Sequence, residues 1–595
     1  MFNRICIIIL LVAGSTALAQ NHPVANSPWG IASGADSTGL YIRYNPMLRD
    51  AGVTWVRYFP EWQTIQPAKG KWNWKSADDL IANARSNQIQ MSGFLAYFAK
   101  WSSSQPNNTR RFPVKDMNDW RTYVRQVVGR YKDDIQYWEV WNEPNSPAFN
   151  KGGTPSDYAA MVRAAYEQAK QVNPNAKIGI GVAAFDLHWL DQVIKAGAAD
   201  HFDYLCVHPY NNIGLVFGSE KSYLAMAQNT RDMLAANGQR DDIELWMSEI
   251  GLTTTTDPQQ QQRQANALIR AYVLGIAQGF DRICWFEAVG PHYGKGVHAI
   301  IDNQFQPYQA YTAFKTMTTA LGPVPTYLGW LDMGNNVPGF VFETARQPVL
   351  VTWANEQSVD VRFESKVTVT DDTGSITTLN AGDQLALTKR PVFINNLPKS
   401  LIKAASSNKS KPYTWTPDYS SDQTVSVQLG PVNQSRGIRQ GNNDPRTDGL
   451  TIAGTFNGQG YRSTDLANKR PFIYFEVDPS FMGWNDQEVE ITVVARRAVP
   501  DQPAKMLLVY ESQTGYHEYA KRTTVPGLNV ELMVESDTHR TPEYWYLEPG
   551  EHWQQYTWRV KDACFIGKWG WHFQINVEPS SGDIWVKQVH IKKNT

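Results

Sequence analysis

Trp138-Glu-Val-Trp-Asn-Glu-Pro-Asn145 decides how the rest of this 595-residue chain is read. The approach to it, from Ile135 through Trp141, is rich in aromatic and β-branched side chains, as strands are. Asn142-Glu143-Pro144-Asn145 then breaks that pattern. Proline has no N–H to give to a ladder, so the strand must end near Glu143. The stretch thus delivers a carboxylate to the tip of a strand, beside the amide of Asn142 and under aromatic walls that include Trp141. A barrel of parallel strands places its chemistry at that end.

Outward from this stretch, strands and helices alternate. Strands are predicted near 30–33, 54–58, 90–95, 136–141, 177–182, 204–207, 244–247 and 282–286. Amphipathic helices are predicted at 116–131, 155–172 and 258–278, the last with Leu268, Ala271, Tyr272 and Leu274 at helical spacing. Eight such units predict an α/β fold of the (β/α)8 TIM-barrel class over 20–321. A doubly wound open sheet competes, but no Gly-x-Gly-x-x-Gly turn follows the first strand. Beyond residue 321 the period shortens. Short strands separated by Asn, Asp and Gly predict a small adjoining β-sandwich over 322–398. Ala-Ala-Ser-Ser-Asn-Lys-Ser-Lys-Pro, at 404–412, reads as part of a solvated linker over 399–415. A second, jelly-roll-type sandwich is predicted over 416–595.

Composition narrows the class. A net charge of −1 gives no reason to invoke nucleic acid or an anionic membrane surface. The 22 Trp and 27 Tyr serve cores and sugar-stacking surfaces equally well. Arg4, the apolar run 5–12 and Ala17-Leu18-Ala19 read as a signal peptide over 1–19, which predicts a secreted or periplasmic protein. The apolar run is too short to span a bilayer, and no later run is long enough. Cys206, Cys284 and Cys564 are too widely spaced for a disulfide framework or a zinc site; buried thiols are the simplest expectation, with a Cys206–Cys284 bond left open. No metal or cofactor is predicted, and the oligomeric state is left open.

Two motifs together carry a family resemblance over roughly the first three hundred residues. Trp138 to Asn145 resembles the fourth-strand motif of clan A glycoside hydrolases, and Trp246-Met-Ser-Glu-Ile-Gly251 is similar to the seventh-strand motif. The wording is closest to family 39 and its bacterial exopolysaccharide-hydrolase relatives. The resemblance implies that Glu143 is the acid/base and Glu249 the nucleophile. Their separation, about three repeats of ~35 residues, places them on strands four and seven. Glycosidic cleavage needs such a pair, one carboxyl protonating the leaving oxygen and one attacking or activating water.

Arg57 resembles the clan's arginine beside the nucleophile, where it would keep Glu249 ionised; a structural salt bridge is the equal alternative. His208 and Tyr210 are similar to the clan's site-lining pair, with Tyr210 preferred as a donor to the nucleophile. Trp285 and Phe286 resemble the sugar-platform position, which leaves Glu287, the rival nucleophile, at most a substrate-binding role. Asn142 is expected to donate to the hydroxyl beside the reacting carbon. Glu139 is expected deeper in the barrel, paired to a cation such as Arg57. Tyr97, Trp101, His292 and Tyr293 are weaker loop candidates. In the C-terminal domain Tyr544, Trp545, Tyr546, Trp553, Trp558, Trp569 and Trp571 are candidates for a sugar-stacking face, although core packing accounts for most of them.

The expected protein is a secreted retaining glycoside hydrolase acting on β-linkages of a polysaccharide, endo-acting, with a carbohydrate-binding-like C-terminal domain. The alternatives are an exo-acting glycosidase of xylosidase or iduronidase type and a non-catalytic carbohydrate-binding protein. A serine hydrolase lacks its Gly-x-Ser-x-Gly turn.

Overall fold

The computed structural model describes residues 26–33, 39–105, 107–290, 297–443, 447–485, 487–512, 523–524, 531–532, 538–540 and 544–594. The predicted signal peptide lies outside them. Eight parallel strands close into a barrel in sequence order: β1 Trp29–Ala32, β2 Trp55–Arg57, β3 Gln90–Leu95, β4 Tyr137–Val140, β5 Lys177–Ala183, β6 Tyr204–His208, β7 Glu244–Ile250 and β8 Arg282–Phe286. The barrel closes where Ile31 pairs with Trp285.

The interior of the barrel explains much of the aromatic content. Trp55, Tyr204 and Trp246 fill its lower end with Tyr137, and the Arg282 guanidinium lies over three of those rings. Above them sit Cys206 and Cys284, both buried free thiols. Burial pushes the Cys284 thiol up to about 12. Higher still, Glu139 approaches β5 so closely that a Cβ on Gly181 would lie 2.5 Å from its carboxylate oxygen. Glycine is required there by space. Outside, the helices are capped as their sequences dictate. Thr154 and Asp157 form a capping box for Pro155–Val172, and Gly279, in the left-handed region, ends Pro258–Gln278.

The small sandwich is a six-stranded antiparallel sheet with a separate strand pair, Val359–Arg362 against Gln384–Leu387. The expected linker is largely exposed but is not an unstructured tether. Lys399–Asn408 forms a helix whose Ala405 is buried against the strand Thr326–Asp332. Trp415 then packs against Trp330 and Phe340 in the core shared with the barrel. The C-terminal region forms two antiparallel sheets, of seven and six strands among the described residues, around a core that includes Trp545 and Trp558.

This last sandwich is bolted to the barrel. Asn212 donates to the Gly567 carbonyl (2.7 Å), Lys221 pairs with Asp478 (2.8 Å), and His188 stacks on Trp484 with centroids 5.3 Å apart. Among the described residues no helix is long and apolar enough to cross a membrane.

Candidate active site

β4 ends at Val140, and the backbone then turns sharply: Trp141 has φ 67° and Glu143 φ 49°. Left-handed backbone costs a non-glycine residue roughly 1–3 kcal/mol and persists only where its surroundings enforce it. Here the Trp141 amide donates to Leu95 (3.1 Å) and its indole to the Phe149 carbonyl (2.8 Å), while the ring packs on Tyr97, Phe98 and Phe112. Strand alternation therefore ends at Val140. Trp141 is a buried wall behind the site, and Glu143 is turned into the cleft.

Glu249 is aimed by a different device. Met247 pairs with Ile283 and Ile250 with Trp285, so β7 advances three residues while β8 advances two. Such a bulge re-aims side chains. Both Ser248, bonded to His208, and Glu249 consequently reach the barrel's upper end.

Arg57 joins the two sides. Its Nε donates to Glu139 (2.7 Å), Nη1 to Glu249 (2.7 Å) and Nη2 to the Asn142 Oδ1 (2.9 Å). Both alternatives for this residue are thus realised together, a structural ion pair and support for Glu249. With its side chain only 3% exposed, Arg57 is placed to position the groups around it. Because a guanidinium only donates, it fixes the Asn142 amide with oxygen inward. The Asn142 Nδ2, 3.1 Å from the Tyr97 hydroxyl, is left as the donor toward the cleft.

Tyr210 donates to Glu249 (2.8 Å), and His208 holds Glu143 through Nδ1 (2.9 Å) and Ser248 through Nε2 (3.0 Å). Burial opposes ionisation of Glu249, but His208, Arg57 and Tyr210 outweigh it and hold the carboxyl below its usual range. Burial likewise opposes the charge on His208, yet Glu249 and Glu143 raise its pKa. Burial and the neighbouring Glu249 keep the Tyr210 phenol protonated. One oxygen each from Glu143 and Glu249 and a ring nitrogen of His208 lie within 4.8 Å of one another. Within that set His208 Nδ1 already bonds Glu143, and Glu249 accepts from Arg57 and Tyr210.

β8 corrects two expectations. Trp285 faces the helices: its backbone N–H donates to the Tyr272 hydroxyl (3.0 Å) in the helix Pro258–Gln278, and its ring is wholly buried. Phe286, on the interior face with Arg282 and Cys284, is the half-buried ring of the pair, edge-on to Tyr210 and His298. Glu287 is 2% exposed, so it has no surface to offer a sugar. Trp101 packs on Trp62 and donates to Gln66, as loop aromatics often do. His292 and Tyr293 lie outside the described residues.

The cleft beside Glu143 has a volume of about 520 Å3. Of the C-terminal aromatic candidates Trp569 reaches it, beside Lys568, which sequence reasoning missed. The other aromatic candidates of that domain are scattered. Trp545 and Trp558 are in the core, Trp571 lies against Tyr474, and Trp553 sits under Lys587.

Residues 60–181 match glycosyl hydrolase family 10. Endo-1,4-beta-xylanase C of Paenibacillus barcinonensis is 25% identical over 146 residues, covering 20% of this chain and 13% of that protein. Endo-1,4-beta-xylanase 3 of Hypocrea jecorina (strain Rut C-30) is 31% identical over 129 residues, covering 20% and 35%. The chain thus spans about an eighth and about a third of these two relatives. A family 39 glycoside hydrolase from the gut symbiont Bacteroides cellulosilyticus WH2 shares the fold, with a TM-score of 0.52 at 18% identity over 62% of this chain and 80% of that one.

Proposed function

We propose that this chain, which resembles the clan A glycoside hydrolases and family 39 in particular, is a retaining β-glycosidase. The observation that carries the reading is the close approach of Glu143 and Glu249 within a site that ties Glu249 to the Arg57 guanidinium and the Tyr210 phenol. Carboxyl groups about 5–5.5 Å apart suit double displacement, whereas inverting enzymes leave about 6.5–9.5 Å for a water. Glu143 protonates the leaving oxygen while Glu249 attacks the anomeric carbon. Glu143 then takes a proton from the water that releases the sugar, so configuration is retained. Asn142 donates to the neighbouring hydroxyl, a contact that tightens as charge develops.

The names of the curated relatives make β-1,4-xylan the first substrate to test, and internal cleavage the first mode. Long products and falling viscosity early in digestion are expected; xylose alone from the first minutes would make the enzyme exo-acting. The roles of the glutamates separate by rescue. With an activated aryl glycoside and azide, Glu143→Ala should yield a glycosyl azide of retained configuration, and Glu249→Ala the inverted azide. A 2-fluoro glycoside should label Glu249 in the parent enzyme. Labelling at Glu287, or an inverted product from the parent, would sink the assignment.

A further inference from the structure

We infer that Trp569 of the C-terminal sandwich, positioned by the buried Lys568 beside it, forms a pyranose-binding subsite on the leaving-group side of Glu143, so that one catalytic cleft is built by two domains. The inference rests on the glycosidase reading for its word "leaving-group"; the subsite itself rests on the geometry of the cleft.

The side is set by which residues line the space. Glu143, Ser146, Ala184, His208 and Tyr210 of the barrel line the 520 Å3 cleft together with Lys568 and Trp569 of the C-terminal sandwich. Asn142 and Glu249, which address the ring under attack, do not line it. Space that Glu143 lines directly, and that Glu249 adjoins only through Tyr210 and His208, is placed to receive the departing sugar. Trp569 is only half buried there, and a flat indole with polar neighbours is the surface that a pyranose ring stacks on.

The loop is held rigidly, as a binding element must be. Three consecutive amides, of Ile566, Gly567 and Lys568, donate at 2.9 Å to the buried carboxylate of Glu511. Gly570 has φ 77°, and a Cβ there would lie 2.7 Å from the Asn211 carbonyl of the barrel. Lys568 pairs with Asp186 at 3.0 Å, and Asp186 accepts from Asn145 at 2.8 Å. Asn145 belongs to the same turn as Glu143 and also bonds both backbone groups of Ala183. Trp569 is therefore registered to the acid/base through two hydrogen-bonded links. A sandwich serving only to cover the barrel's flank would not need its loop to enter the cleft.

The test reads binding separately from catalysis. In a Glu249→Gln background, which suppresses turnover, xylohexaose binding is measured by calorimetry with and without Trp569→Ala. The substitution should weaken affinity at least about tenfold by removing the stacking face. Trp569→Phe, which keeps a flat ring, should restore most of the affinity, and unchanged melting temperatures should show both variants folded. Equal affinity with and without Trp569→Ala, failure of Trp569→Phe to recover binding, or no binding in either protein would overturn the subsite. Labelling of Glu249 by the 2-fluoro glycoside tests the glycosidase reading by itself. Weakened binding without that labelling would leave a sugar site and remove the catalytic role.

Discussion

Lys568 and Asp186 meet at 3.0 Å with 1% and 0% of their side chains exposed, although they belong to different domains. Burial opposes ionisation of Asp186, but Lys568, Asn145 and His188 outweigh it and keep the carboxyl below its usual range. A buried pair of this kind locks the two domains in register.

Removing one partner should therefore be costly. Lys568→Met leaves a buried carboxylate without its cation, and a loss of about 3–5 kcal/mol in urea unfolding is expected. Adding Asp186→Asn should recover part of that loss. A single-variant effect below about 1 kcal/mol would show that the pair behaves as an exposed one. By the same logic, deleting 416–595 uncovers Asp186 and His188, and activity should fall on short and polymeric substrates alike.

Arg57→Gln removes the cation that Glu249 and Glu139 share. Turnover should drop about 100-fold, in the range of losing one preorganised electrostatic contact. The acid limb of kcat/KM should also move to higher pH, because Glu249 loses a group that holds its pKa down. A fall in rate with the acid limb unmoved would mean that Arg57 acts through Glu139 and packing alone.

His208 gives a pH signature in stability. Its pKa is raised in the folded protein, where Glu249 and Glu143 face it and Arg57 opposes them. The folded state thus holds the proton more tightly than the unfolded chain. The resulting stabilisation is complete below about pH 6.5, the unfolded value, and is lost as pH rises through the folded value. The melting-temperature advantage of the parent over His208→Gln should accordingly be largest at about pH 5–6 and shrink toward about pH 9. An advantage that grows with pH would contradict a protonated imidazolium between the two carboxylates.

Neighbouring β8 residues should separate stability from binding. Trp285→Ala empties a buried site against the helices and should cost about 3–5 kcal/mol. Phe286→Ala, at the half-buried platform, should raise KM while shifting the melting temperature far less. The reverse pattern would restore Trp285 as the platform.

These contrasts show where a single chain is legible. The eight barrel strands fall at or within a few residues of their predicted places, because their signals are local: apolar runs, turn residues and helical spacing. The helix at Lys399–Asn408 also left a trace, in Leu401, Ile402 and Ala405, but serine and lysine around them read as solvated. Strand orientation was harder. Both faces of a parallel barrel strand are buried, so nothing in Arg282-Ile-Cys-Trp-Phe286 tells inside from outside.

Local chain chemistry thus specified the barrel and the break after its fourth strand, and the resemblance of two motifs pointed to Glu143 and Glu249. It was long-range packing that aimed them. The left-handed turn at Trp141 is held by Leu95 and Phe149, the bulge at Glu249 exists only relative to β8, and Asn142 is oriented by Arg57. Lys568 and Trp569 stand more than four hundred residues from Glu143 in sequence, and no periodicity reaches that far. Their place in the cleft comes from the docking of one folded surface on another, whose complementarity no stretch of either domain carries alone.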